Sequence, residues 1–290
     1  MNRRFRRGLL VLVSAIATAG LAGTAQADPL RYVALGDSYS AASGVLPPDP
    51  EAPPNCLRST SNYPHVIADA IGAELTDVTC GAAKTRDFFK PQYDNVPPQL
   101  EALKHGTQLV TMTIGGNDND VFIDAIVACG TAGATTLGQG SPCKDQYGSS
   151  FVDTIRNKTF PALKKALRAV HRKSPGASVA ILGYPWIMPP EEGCYPQMPV
   201  ADGDVPYLHH IQAVLNRAVG HAARATETTY VNLNKPSTGH DACQTVGVRW
   251  VEPVVAGTNP VIVHPNALGE EEMAANAMAA LGLVGGTGSP

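Results

Sequence analysis

Tyr32-Val33-Ala34-Leu35-Gly36-Asp37-Ser38-Tyr39-Ser40, near the start of the 290-residue chain, is the stretch whose reading decides the fold. An apolar run of strand length breaks at Gly36, and an acid and a serine follow at once. A buried strand that ends this way leaves a hydroxyl at its carboxyl end, where parallel α/β sheets build their sites. Serine after glycine is also ordinary turn chemistry. The rest of the chain has to decide between the two.

Working outward, the same pattern recurs. Residues 75–79 read as a strand followed by Cys80-Gly81-Ala82-Ala83, residues 108–114 as one followed by Gly115-Gly116-Asn117-Asp118, and residues 179–182 as one followed by Gly183-Tyr184-Pro185-Trp186. Residues 229–233 form a fifth. Between them the apolar spacing predicts helices. Tyr63–Ile71 has Asn62 as N-cap, Pro64 in its first turn and Gly72 at its end. Others are expected over 97–105, 121–128, 151–173, 205–226 and Ala267–Leu281. In the stretch 151–173, Phe160, Leu163, Leu167 and Val170 recur at helical spacing opposite Lys164, Lys165, Arg168 and Arg172, which reads as a solvated face. Strand and helix alternate throughout, so the expected fold class is α/β, with a mainly parallel sheet covered on both faces.

Before the first strand, Arg3-Arg4-Phe5-Arg6-Arg7 precedes an apolar run from Gly8 to Ala22, and Ala25-Gln26-Ala27 fits a small-residue cleavage site. Residues 1–27 therefore read as a removed signal peptide and residues 28–290 as one secreted domain. No other apolar stretch approaches the roughly 20 residues of a membrane span. Loss of Arg3, Arg4, Arg6 and Arg7 moves the formal charge from −3 to −7, and no basic stripe suggests nucleic acid. No repeat or interaction helix is visible, so a monomer is expected.

Six cysteines, Cys56, Cys80, Cys129, Cys143, Cys194 and Cys243, all lie beyond the leader. An even count in an exported chain reads as a disulfide framework, for which about 15 pairings are possible, nearest-neighbour pairing being the simplest. Each bridge would stabilise the fold by roughly 2–4 kcal/mol. No CxxC or HExxH pattern suggests a metal, and adjacent His209 and His210 point about 100° apart on a helix.

Ser38, Gly81, Asn117 and His264 each follow an expected strand or stand before the last helix, so a right-handed parallel sheet brings them to one edge. That set suits acyl transfer. Serine needs a base to take its proton, histidine is the usual one at neutral pH, and the oxyanion needs donors aimed at it. The amides of Ser38 and Gly81 and the side chain of Asn117 would supply three. Asp37 and Asp118 read as structural clamps, and His240 beside Asp241 is the competing base.

At this point the sequence resembles the SGNH (GDSL) serine hydrolases. Gly36-Asp37-Ser38-Tyr39, Gly81 in Cys80-Gly81-Ala82, Gly115-Gly116-Asn117-Asp118 and Val263-His264-Pro265-Asn266 match its four blocks in order. The likeness covers the whole chain after the leader and is strongest to the secreted actinobacterial lipases and esterases. It implies a flavodoxin-like three-layer α/β/α sandwich, hydrolysis of carboxylic esters, no cofactor or metal, and three disulfides paired sequentially. One position departs from the pattern: Val261 stands where the family commonly has an Asp three residues before the histidine. The expectation is a Ser38–His264 dyad in which a main-chain carbonyl near Val261 or Ile262 orients the imidazole, with Asp241 and Glu252 as rival acids.

The α/β-hydrolase elbow GxSxG is absent, because Ser40 stands where its second glycine would be. A non-catalytic lipid- or carbohydrate-binding module is the alternative of another class. As substrates, acylglycerols or other lipid acyl esters are expected, with phospholipids and carbohydrate acetyl esters as alternatives. Tyr39, Ile114, Tyr184, Trp186, Ile187 and Met188 are candidate neighbours of an acyl chain.

Overall fold

The computed structural model describes residues 28–283, so the expected leader lies outside the described residues. In chain order the elements are β1 (Arg31–Gly36), α1 (Ser38–Ala41), α2 (Tyr63–Ile71), β2 (Glu74–Asp77), β3 (Leu109–Thr113), α3 (Val121–Thr135), α4 (Pro142–Tyr147), α5 (Ser150–Thr154), α6 (Phe160–Lys173), β4 (Ser178–Leu182), α7 (Val205–Arg224), β5 (Thr229–Val231) and α8 (Ala267–Leu281). The five strands make one sheet in the order β2-β1-β3-β4-β5, every pair parallel. In this doubly wound order the chain reverses direction across the sheet between β1 and β3, which is where such folds place their crevice.

Alternation along β1 distributes the core. Tyr32 and Ala34 join a cluster with Tyr63 and Ile67 of α2 and Met273 and Ala277 of α8. Val33 and Leu35 face the other way, into a cluster with Leu163, Leu167 and Val170 of α6. A strand covered on both faces has no polar side to spare, which explains the unbroken apolar run. The helix ends follow local chemistry: the Asn62 side chain accepts from His65 N–H at 3.0 Å, Gly72 closes α2 at φ +64°, and the Asn266 side chain accepts from Gly269 N–H at 3.0 Å to start α8.

Three expectations differ from the structure. The helix expected over 121–128 continues through Cys129 to Thr135, with Gly130 and Gly133 inside it. Gly133 serves close packing: a Cβ there would run into the Pro199 carbonyl and the Ala201 amide. The helix expected over 151–173 is interrupted by a wide turn at Ile155–Thr159, just before Pro161. Proline has no N–H to donate and its ring collides with the carbonyl four residues back, so the ladder widens there. Residues 97–105 yield only the single turn Gln99–Glu101.

The disulfides join Cys56 to Cys80, Cys129 to Cys143 and Cys194 to Cys243. The first ties the Pro-rich stretch Leu46 to Pro54, just before Cys56, to the turn after β2, and the third joins the long connections after β4 and β5. Among the described residues no helix is long and apolar enough to cross a membrane.

Candidate active site

Gly36 turns the chain out of the sheet at φ +130°, and a Cβ there would press on the Thr113 carbonyl at 2.5 Å. The Gln99 side chain grips both backbone groups of Gly36, accepting from its N–H at 2.7 Å and donating to its carbonyl at 2.9 Å. Asp37 then donates its N–H to Thr113 O at 2.9 Å, which extends the β1–β3 pairing by one residue. Its buried carboxylate accepts from Tyr39 N–H at 3.1 Å, Thr113 Oγ1 at 2.7 Å and Tyr184 Oη at 2.5 Å. Burial pushes the Asp37 pKa up to about 6 against those three donors. The result is a short helical turn, α1, that starts at Ser38 with its geometry fixed from beneath.

His264 arrives from the other end of the chain. Its Nε2 lies 2.7 Å from Ser38 Oγ, and its Nδ1 lies 2.7 Å from the carbonyl oxygen of Ile262, two residues back. The turn that makes this possible places Val263 at φ +52°, a region that β-branched residues rarely enter. Strain of this kind persists only where the surroundings impose it, and here they do. Tyr39 Oη donates to Val263 O at 2.7 Å, Val263 N–H donates to Glu252 O at 3.0 Å, and Glu252 N–H donates to His264 O at 2.9 Å. Burial lowers the His264 pKa, with the Ile262 carbonyl working in the opposite direction.

No carboxylate hydrogen bonds to His264 among the described residues. Glu252 is committed elsewhere: it pairs with Arg249 at 2.7 Å and accepts from Thr258 Oγ1 at 3.0 Å and Asn266 Nδ2 at 2.8 Å. That network holds its pKa low against burial. Asp241 accepts from Cys243 N–H at 3.0 Å and lines a different cavity. Val261 contributes only its N–H, donated to Asn259 Oδ1 at 2.9 Å. His240 stacks on Trp250 with ring centres 4.6 Å apart and has no contact with Ser38.

The donors around Ser38 are less uniform. The Ser38 N–H is the first of α1 and has no acceptor among the described residues. Asn117 stands beside Ser38 in the same pocket, and its Nδ2 spends one of two hydrogens on Ala83 O at 3.2 Å. Gly81 requires a correction. Its N–H is donated to Cys56 O at 2.7 Å, because the Cys56–Cys80 bridge draws these two segments together. The neighbouring Ala82, at φ +61°, is the residue of this turn whose N–H finds no acceptor among the described residues. Asp118 clamps the two turns, accepting from Thr85 N–H at 2.8 Å and Thr85 Oγ1 at 2.7 Å, and burial raises its pKa.

Around these atoms lies a small pocket of about 40 Å³, lined by Ser38, Asn117 and His264 together with Tyr39, Tyr184 and residues of α3. Of the candidate acyl neighbours, Tyr39 and Tyr184 stand in it. Ile114 and Ile187 are buried, while Trp186 and Met188 line a separate cavity with His209. Sequence reasoning missed Phe122, Ile123 and Ile126 of α3, which line the pocket instead. The available signal was a helix directly after Asn117 whose only charged residue is Asp124. It also missed Gln99 and the path from Gly116 N–H to Tyr184 Oη (2.9 Å) to Asp37, which binds the turns after β1, β3 and β4 together.

A sequence profile of the GDSL-like lipase/acylhydrolase family matches residues 34–271. Lipase 2 of Streptomyces coelicolor is 58% identical over 289 residues, covering 96% of this chain and 98% of that one. Among solved structures, phospholipase A1 from Streptomyces albidoflavus superimposes with a TM-score of 0.72 at 26% identity, over 89% of this chain and all of that one. The extracellular lipase from Streptomyces rimosus gives the same TM-score and identity over 88% of this chain and all of that one.

Proposed function

The chain belongs to the GDSL-like lipase/acylhydrolase family and is a carboxylic ester hydrolase, and from that premise we propose that it cleaves lipid acyl esters through an acyl-enzyme on Ser38. One observation carries the assignment of roles: Ser38 Oγ, His264 Nε2, His264 Nδ1 and the Ile262 carbonyl form one chain with 2.7 Å at each hydrogen bond. His264 takes the Ser38 proton as Oγ adds to the ester carbonyl, then delivers it to the departing alcohol. Water repeats the cycle, giving up a proton to His264 as it attacks the acyl-enzyme, and Ser38 leaves with that proton. Nδ1–H donates to Ile262 O throughout, which fixes the tautomer that leaves Nε2 free to act as base. A carbonyl supplies orientation without the full charge of a triad acid.

The N–H groups of Ser38 and Ala82 and the Asn117 side chain are the proposed oxyanion donors, each worth roughly 3–4 kcal/mol of transition-state stabilisation. The name of the Streptomyces coelicolor relative favours acylglycerols, and that of the albidoflavus neighbour keeps phospholipids as the second reading. Export behind a leader ending at residue 27 and action as a monomer belong to the same proposal, and three disulfides suit an oxidising compartment.

Treatment with a long-chain alkyl fluorophosphonate tests the roles directly. Ser38 Oγ displaces fluoride from phosphorus, so peptide mapping should find one adduct on Ser38 that disappears in His264→Ala. An unlabelled Ser38 in folded, disulfide-bonded protein would overturn the assignment.

A further inference from the structure

The pocket at Ser38 holds about 40 Å³, room for roughly three water molecules. It accommodates the scissile group and a very short acyl stub. Beyond it, on the outer side of α3, runs an open apolar groove of about 540 Å³ walled by Ile126, Val127, Gly130, Ala134, Val254 and Ile262. No charged residue lines it.

Two residues join groove and pocket. Ile126 lines both, and Ile262 forms the far wall of the groove while its carbonyl holds His264. Val127 is 57% exposed and Ile262 44%, and Ile123, beside Ile126 at the pocket, is 41% exposed. Large apolar side chains left open along one continuous path from a reacting centre mark a surface that is covered in use.

We propose that this groove binds the acyl chain of the ester held at Ser38, so that the enzyme selects medium to long chains over acetyl groups. The inference rests on the hydrolase reading above and extends it to the substrate. Ile123, Ile126, Val127, Gly130 and Ala134 fall on one face of α3 at helical spacing, a stripe about 16 Å long at 1.5 Å rise per residue. An extended chain advancing ~1.2 Å per bond would need about 13 bonds to cover it. Each methylene fully withdrawn from water should raise kcat/KM about fourfold, and less where one side of the groove stays open. A carbohydrate acetyl ester would leave the whole stripe exposed.

The test compares p-nitrophenyl acetate with p-nitrophenyl dodecanoate, both below micelle-forming concentration. In the wild-type protein kcat/KM should climb two- to fourfold per methylene up to about twelve carbons. Gly130→Phe places a ring in the groove, since a Cβ there has only Pro199 Cγ near it, at 3.7 Å, and phenylalanine is the better helix former. Val127→Asp places a charge there by an independent route. Each should cut dodecanoate turnover at least tenfold and leave acetate turnover and fluorophosphonate labelling of Ser38 within twofold. A wild-type preference for acetate, a dodecanoate rate untouched by both variants, or an equal loss on both esters would overturn the groove assignment. Persistent labelling of Ser38 in any of those cases would leave the hydrolase reading standing.

Discussion

Ser38 and His264 stand 2.7 Å apart but are held by two regions built in opposite ways. Ser38 grows out of the sheet: β1 is paired on both sides, Gln99 grips Gly36, and Asp37 gathers hydrogen bonds from the ends of β3 and β4. His264 lies in a stretch from Trp250 to Asn266 that has one isolated bridge, Val251 to Pro265, and no regular element. Its order comes from Tyr39, Asn259, the buried Arg249–Glu252 pair and the strained turn at Val263. Regular pairing spreads its support over many bonds, whereas the loop concentrates it in a few. Single substitutions on the histidine side should therefore cost more than comparable ones on the serine side.

The strongest way to break this contrast is Glu252→Gln. It leaves Arg249, only 3% exposed, without its counter-charge, and breaking a buried pair costs roughly 3–5 kcal/mol. Chemical denaturation should register that loss together with a fall in kcat, and a loss below about 1 kcal/mol would place the support of the loop elsewhere. Next comes Asp37→Asn on the serine side. It weakens hydrogen bonds to a charged acceptor, worth roughly 1.5–3 kcal/mol each, and should lower kcat about tenfold to a hundredfold while fluorophosphonate still labels Ser38. Smaller again is Tyr39→Phe, which removes only the bond to Val263 O, for about 1 kcal/mol. A severalfold drop in kcat with unchanged KM is the expected reading, and an unchanged kcat would mean that the Val263 turn holds itself.

The two regions also respond oppositely to pH. Burial raises the Asp37 pKa from 3.8 to about 6, so between those values the native protein binds the extra proton and stability falls as pH rises. His264 is lowered from 6.5, so just below 6.5 it is the unfolded chain that binds more protons, and stability rises with pH. Denaturation midpoints followed from pH 4 to 7 should lose the first trend in Asp37→Asn and the second in His264→Ala. Because neutral imidazole is the proposed base, the acid limb of kcat/KM should lie below 6.5. The smallest expected effect is that of Asp241→Asn, under twofold in turnover. A loss near the roughly 10⁴-fold of a missing triad acid would overturn the carbonyl reading.

Much of this was legible in the chain because it is local. The glycine after each buried run, Asn62 and Gly72 around α2, and the alternation of strand and helix are all decided within a few residues, and they suffice for the α/β class and for the edge at which Ser38, Asn117 and His264 gather. What failed was decided at a distance. Gly81 reads as the donor of its turn, but the Cys56–Cys80 bridge brings a carbonyl to its N–H, and no local pattern encodes that approach. The helix expected over 121–128 stops short of Gly130 and Gly133 because their packing partners, Pro199 and Ala201, are far along the chain.

By itself, then, the sequence determined the α/β class and which side chains the sheet brings to one edge, since those follow from periodicity and turn residues. Only the tertiary structure decided how His264 is oriented and where an acyl chain can lie. Both depend on one segment folding back across more than two hundred residues: Val263 must be forced to φ +52° for the Ile262 carbonyl to reach the imidazole, and the same turn lays the Ile262 side chain against the groove beside α3. A valine carries no local preference for that conformation, so the contacts of the folded protein have to impose it.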